Sequence, residues 1–139
     1  MSQKIGTNHA TVIALVGKLG SGKTTFVQKF AKAMGITESV LSPTFVILKS
    51  YKLKAISHKL LIHIDAYRLK NAGELEDLGI HELIADPQNV IFIEWADKVP
   101  EVLPEDTITL HFTHVDENTR KIQISSIKTQ TIINASNTK

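Results

Sequence analysis

Residues 17–25 read Gly-Lys-Leu-Gly-Ser-Gly-Lys-Thr-Thr, and they follow the apolar run Thr-Val-Ile-Ala-Leu-Val at 11–16. This is the spacing G-x-x-x-x-G-K-[ST] behind a strand and ahead of helix-compatible residues, the Walker A pattern in its structural setting. Glycine at 17, 20 and 22 permits backbone dihedrals that side chains forbid, so successive N–H groups can point inward at phosphate oxygens. Lys23 is placed to reach β- and γ-phosphates, and the Thr24 hydroxyl to ligate Mg²⁺. The N-terminus of the following helix adds its partial positive charge. Leu19, Ser21 and Thr25 belong to the same phosphate-binding segment.

The rest of the chain extends this β-loop-α start. From Lys23 to Met34 the apolar residues Phe26, Val27, Phe30, Ala31 and Met34 recur at helical spacing, and Gly35 supplies a C-terminal cap. Ser-Pro-Thr at 42–44 marks a turn before a β-rich run at 45–48. A polar loop is expected over 51–59, then an apolar strand over 60–65 that pairs antiparallel with the previous run. Residues 71–85 read as two short helical pieces broken at Gly79, and 90–94 as a second buried strand. Alternation at Ile108, Leu110 and Phe112, a turn at 116–118, and alternation again at Ile122 and Ile124 predict a hairpin. Residues 1–10 and the Thr/Asn-rich stretch from 128 onward are expected to be frayed tails. Together these elements imply one α/β domain over 1–139, with a P-loop NTPase-like three-layer fold and a mixed parallel/antiparallel sheet.

Two strands end in a carboxylate, at Asp65 and at Glu94. Open α/β sheets bind ligands at strand carboxyl ends, and a P-loop needs an acidic partner there for Mg²⁺. Spacing alone does not say which of the two holds the metal and which positions an attacking water, and either could instead be structural. Thr44 is either part of a segment that senses the γ-phosphate or simply the turn that begins a strand. Arg68 lies three residues past Asp65 and could bind phosphate, pair with Asp65 or dock a partner. Arg120 opens the last strand, where it either joins the nucleotide-binding set or faces solvent. Trp95, directly after Glu94, either shields the phosphate site, anchors a partner or packs in the core. His63, inside a buried strand, reads as a hydrogen-bonded core residue, since the histidines show no metal-ligand spacing.

Composition removes several classes. There is no cysteine, so disulfide, zinc-thiolate and thiol chemistry are excluded. The net charge is only +2 with no basic block, which gives no footprint for direct nucleic-acid binding. No apolar stretch approaches membrane-spanning length and no signal-peptide pattern is seen, so a cytoplasmic location without membrane association is expected.

Taken in order, the 17–25 loop, Ser-Pro-Thr-Phe at 42–45, His-Ile-Asp-Ala-Tyr-Arg-Leu at 63–69, Glu-Leu-Glu-Asp-Leu-Gly at 74–79 and Ile-Glu-Trp at 93–95 resemble the TsaE (YjeE) family, small bacterial ATPases of tRNA threonylcarbamoyladenosine (t6A) synthesis. The resemblance covers roughly residues 11–126. It implies that ATP phosphates are held by Lys23 and the loop backbone, and Mg²⁺ by Thr24 and Glu94. It further implies that Asp65 and Lys23 are catalytic, with Asp65 beside the γ-phosphate, that Thr44 belongs to a switch, and that Trp95 flanks the site. The partners implied are TsaB- and TsaD-like proteins, with tRNA reached only through that complex, which ATP hydrolysis resets or regulates. Members of the family carry a further strand and helix before the P-loop strand, part of it against adenine; here residues 1–10 precede that strand. Lys18 and Ser21 replace acidic and alanine residues usual in the family, and Ala96 replaces a common proline.

Two other P-loop classes fit less well. A GTPase needs N-K-x-D to read guanine, and Ala-Asp-Lys-Val at 96–99 lacks it. A nucleotide kinase clamps two anionic substrates with several arginines, and this chain has only Arg68 and Arg120. From a different class, the alternative is a nucleotide-dependent binding module that docks a partner and hydrolyses negligibly. The lack of an obvious free arginine finger predicts slow turnover by the isolated chain.

Overall fold

The computed structural model describes residues 8–40, 46–54, 58–126 and 131–138, with the side chains of 126 and 131–138 excepted. Its seven strands are β1 (Thr11–Gly17), β2 (Leu48–Lys52), β3 (Leu60–Asp65), β4 (Asn89–Glu94), β5 (Ile108–Asp116), β6 (Thr119–Ser126) and β7 (Thr131–Thr138). They form one sheet in the order β2-β3-β4-β1-β5-β6-β7. The central four strands run parallel, while β2 and the β6–β7 pair add antiparallel edges. The mixed sheet inferred from the sequence is therefore observed.

Strict alternation along the central strands splits their side chains between two cores, because successive residues face opposite sides of a sheet. Leu15, Leu61, Val90, Phe92, Leu110 and Phe112 face the first helix, α1 (Lys23–Ala33). That helix docks through buried Val27 and Ala31 and through Phe26 and Phe30. Phe30 stands edge-on to Phe92 at 4.9 Å between centroids, and Phe26 edge-on to Phe112 at 5.8 Å, the geometry that aromatic quadrupoles favour. On the other face, Val12, Ala14, Ile62, Ile64, Ile91 and Ile93 pack under α2 (Gly73–Asp77), α3 (Ile80–Ala85) and 3-10 turns at Ala96–Lys98 and Pro100–Val102. Helices on both faces of a partly parallel sheet make the expected three layers. Gly79 separates α2 from α3 with φ 88°, a left-handed turn that glycine adopts without strain.

Four local expectations are corrected. Residue 45 lies outside the described residues, but of the rest of the run expected at 45–48 Val46 and Ile47 stand outside the strand, which begins at Leu48 because Ile47 sits at φ 66°; Asp65 N–H then donates to the Ile47 carbonyl at 2.9 Å. The strand runs on to Lys52 within the stretch read as a loop, with Tyr51 buried and Lys49, Ser50 and Lys52 exposed. Lysines on an edge strand discourage further strand addition, and they also disguise the strand in the sequence. The tail from 128 carries β7, paired antiparallel with β6; backbone pairing needs no apolar composition, so this polar stretch gave little strand signal. At the other end Ala10, assigned to a frayed lead-in, is buried and its N–H donates to the Ile84 carbonyl at 2.7 Å.

Candidate active site

The parallel register brings the functional residues together. Leu15 lies opposite Glu94 and Asp65 opposite Glu94, so both carboxylates stand at strand carboxyl ends next to the glycine loop. The ends are tied: Ala66 N–H donates to the Glu94 carbonyl, and Trp95 N–H to the Leu15 carbonyl, each at 3.0 Å. Trp95 occupies the left-handed region at φ 59°. For a non-glycine residue that conformation costs on the order of 1–3 kcal/mol, and such strain persists where surrounding contacts over-determine it. Here it turns the indole over the Lys23 ammonium, 4.3 Å from Nζ to the ring centroid.

The loop itself is preformed. Ser21 N–H donates to the Lys18 carbonyl at 3.1 Å, and Gly20 and Gly22 take φ 79° and 105°. No side chain caps α1 and no acidic residue occupies its first turn, so its N-terminal donors stay available to an anion. Gly17 lies beneath the loop, where a Cβ would stand 2.7 Å from both the Phe112 carbonyl oxygen and Ser21 Oγ. Gly17→Ala is therefore expected to force the loop off β5 and to cost about 1–3 kcal/mol, the usual range for overpacking. A lower urea midpoint with unchanged slope checks it; a wild-type midpoint would contradict it.

Lys23 is buried, and its Nζ donates to the Gly17 and Lys18 carbonyls at 2.5 and 3.0 Å. Burial pulls its pKa below the usual lysine value, opposed by the charges of Glu94, Asp65 and Asp97. Thr24 Oγ1 donates to Glu94 Oε2 at 2.7 Å. A hydroxyl has one proton and two lone pairs, so Thr24 can keep this bond while offering its oxygen to a cation. These hard oxygens suit Mg²⁺, which is held by one or two carboxylates together with substrate phosphates. Among the described residues no group of three or more His, Cys, Asp or Glu could hold a metal alone.

The cleft over this pair has a volume of about 320 Å³. Of the residues singled out in the sequence, Leu19, Gly20, Gly22, Lys23, Thr24 and Thr25 line it from the loop side. Asp65, Glu94 and Arg120 line it from the other strands, and Arg68 and Trp95 from the turns that follow β3 and β4. Asp65 Oδ1 accepts the Tyr67 N–H at 3.0 Å, and the Tyr67 ring packs 5.1 Å from Trp95. Arg120 is half-buried against Gly22, with Nη1 bonded to the Asp116 and Thr119 carbonyls. It therefore stands at the border of the cleft. Arg120 also borders an adjoining pocket of about 160 Å³ with Phe26, Phe112 and Ile122 as its apolar wall. Gly17 and Ser21 do not line this cleft; Ser21 is buried on the wall of the adjoining pocket. Thr44 lies outside the described residues.

The hydrogen-bonded core position expected of His63 is observed, fully buried and bonded through Nε2 to Glu94 Oε2 at 2.6 Å, but its partner was not foreseen. The available signal was parity: His63 and Asp65 are two apart on one strand and share a face.

The family model "Threonylcarbamoyl adenosine biosynthesis protein TsaE" matches residues 1–122. The chain belongs to the TsaE family. It is 38% identical to the tRNA threonylcarbamoyladenosine biosynthesis protein TsaE of Bacillus subtilis, over 84% of this chain and 70% of that one. Against the Treponema pallidum TsaE it is 35% identical over 84% of this chain and 83% of the relative. The crystal structure of YdiB from Bacillus subtilis superposes with a TM-score of 0.67 at 31% identity, covering 88% of this chain and 72% of that one. The TsaE-family fold and the P-loop setting of the cleft thus agree. No helix among the described residues is long and apolar enough to cross a membrane.

Proposed function

We propose that this TsaE-family protein binds ATP with Mg²⁺ and hydrolyses it slowly, as the nucleotide-dependent subunit of a t6A-forming assembly with TsaB- and TsaD-like partners in the cytoplasm. The observation that carries the reading is the Thr24–Glu94 hydrogen bond at the open N-terminus of α1, with Lys23 buried alongside. Thr24 and Glu94 would hold the cation, which would neutralise charge developing on the phosphates. Lys23 exchanges the Gly17 and Lys18 carbonyls for phosphate oxygens, a stronger charge-assisted pairing. Trp95 shields that ammonium from water on one side. Asp65, which lines the same cleft beside Glu94, would accept a proton from, or orient, an attacking water. Arg120 spans the phosphate cleft and the apolar pocket, where the base would lie.

Titration calorimetry with Mg-ATP and Mg-GTP, followed by phosphate release with and without TsaB and TsaD, tests the reading. Binding of Mg-ATP, little release by the chain alone and faster release with both partners are expected. A properly folded chain that takes up no purine triphosphate would refute it. Tight binding without release in the presence of both partners would make it a nucleotide-dependent docking module instead.

A further inference from the structure

His63 is fully buried in the middle of β3, flanked along the strand by Leu61, Ile62 and Ile64. Its Nε2 lies 2.6 Å from Glu94 Oε2, the same oxygen that accepts the Thr24 hydroxyl at 2.7 Å. Carboxylates only accept, so Nε2 carries the proton and donates. Nδ1 has no hydrogen-bond partner among the described residues. An imidazole with one ring nitrogen unmatched is a poor choice for a strand whose neighbours are aliphatic, because an unsatisfied buried polar atom costs about 1–3 kcal/mol. What the imidazole supplies that leucine or isoleucine could not is a second rigid donor on Glu94, approaching from inside the sheet.

We propose that His63 is a positioning residue for the divalent cation. It touches neither cation nor nucleotide, and acts by holding the Glu94 carboxylate at the place where Thr24 meets it. The inference rests on the reading of this cleft as a metal-nucleotide site. Two donors from different elements, β3 and α1, converge on one oxygen and oppose rotation of the carboxylate. Thr24 alone, a single donor, leaves that rotation free about one bond. Outer partners of ligating groups typically govern metal affinity by about 10–100-fold.

The test uses the full chain saturated with ADP and titrated with Mn²⁺, free Mn²⁺ being read by electron paramagnetic resonance. Three variants separate donor from packing. His63→Leu removes the donor. His63→Asn keeps an amide but only at the Nδ1 position, short of Glu94. His63→Gln carries an amide N–H to about the reach of Nε2. Circular dichroism and urea unfolding identify any variant that fails to fold, and the Asn–Gln pair decides the matter if Leu fails. The Leu and Asn variants are expected to bind Mn²⁺ about 10–100-fold more weakly, with His63→Gln within about threefold of wild type. ADP affinity in EDTA, measured by calorimetry, is expected to be unchanged in all three. Wild-type Mn²⁺ affinity in the Asn variant, or equal weakening in Asn and Gln, would overturn the proposal while leaving the nucleotide site standing. A wild-type chain that binds no ADP would remove the site reading and this inference together.

Discussion

Lys23→Met is expected to weaken Mg-ATP binding by on the order of 10²-fold, since each hydrogen bond to a charged group contributes about 1.5–3 kcal/mol. The substitution keeps the aliphatic stem that burial demands and removes only the ammonium. Lys23 is buried at 4% exposure and donates to two loop carbonyls, so the variant leaves those carbonyls to water at the cleft rather than opening a cavity. The same residue offers an optical readout. Its ammonium lies 4.3 Å from the ring centroid of Trp95, the one tryptophan in the chain. As nucleotide draws Lys23 toward phosphate, the emission of Trp95 should change in wild type and stay flat in Lys23→Met at equal occupancy. Calorimetric affinity equal to wild type would rule out Lys23 as the phosphate ligand.

Asp65→Asn is the second large effect, and it falls on turnover rather than binding. The amide retains the oxygen that accepts the Tyr67 N–H, so the turn after β3 should persist and Mg-ATP affinity should stay within about threefold. Losing a positioned base typically lowers rate by about 10²–10⁴-fold, and single-turnover phosphate release with partners present measures it. Glu94→Gln separates the roles of the two acids: because Glu94 bonds Thr24 and His63, its replacement should first raise the magnesium concentration needed for binding. If Asp65→Asn turned over normally while Glu94→Gln kept full magnesium affinity, the assignment of base and ligand would have to be reversed.

These two acids also show where sequence reading stops. Both were identifiable as carboxylates ending apolar strands, and both line the cleft. Their division of labour was not legible, because it depends on which one meets Thr24. That contact joins residues seventy positions apart and follows from β4 lying between β3 and β1. Arg120 is a similar case: its neighbours on β6 suggest an exposed strand start, and only the β5–β6 hairpin beside α1 carries it over Gly22.

By itself the sequence determined the glycine loop, the helix behind it, the split at Gly79 and the apolar strands that end in Asp65 and Glu94. Each of these is written in spacing and local dihedral preference, which act over a few residues. Tertiary structure alone decided the start of β2 after Ile47, the pairing of β7, and the convergence of Thr24 and His63 on a single Glu94 oxygen. Such features arise from strand register and from side chains meeting across elements distant in the chain, and no local pattern encodes which partners will meet.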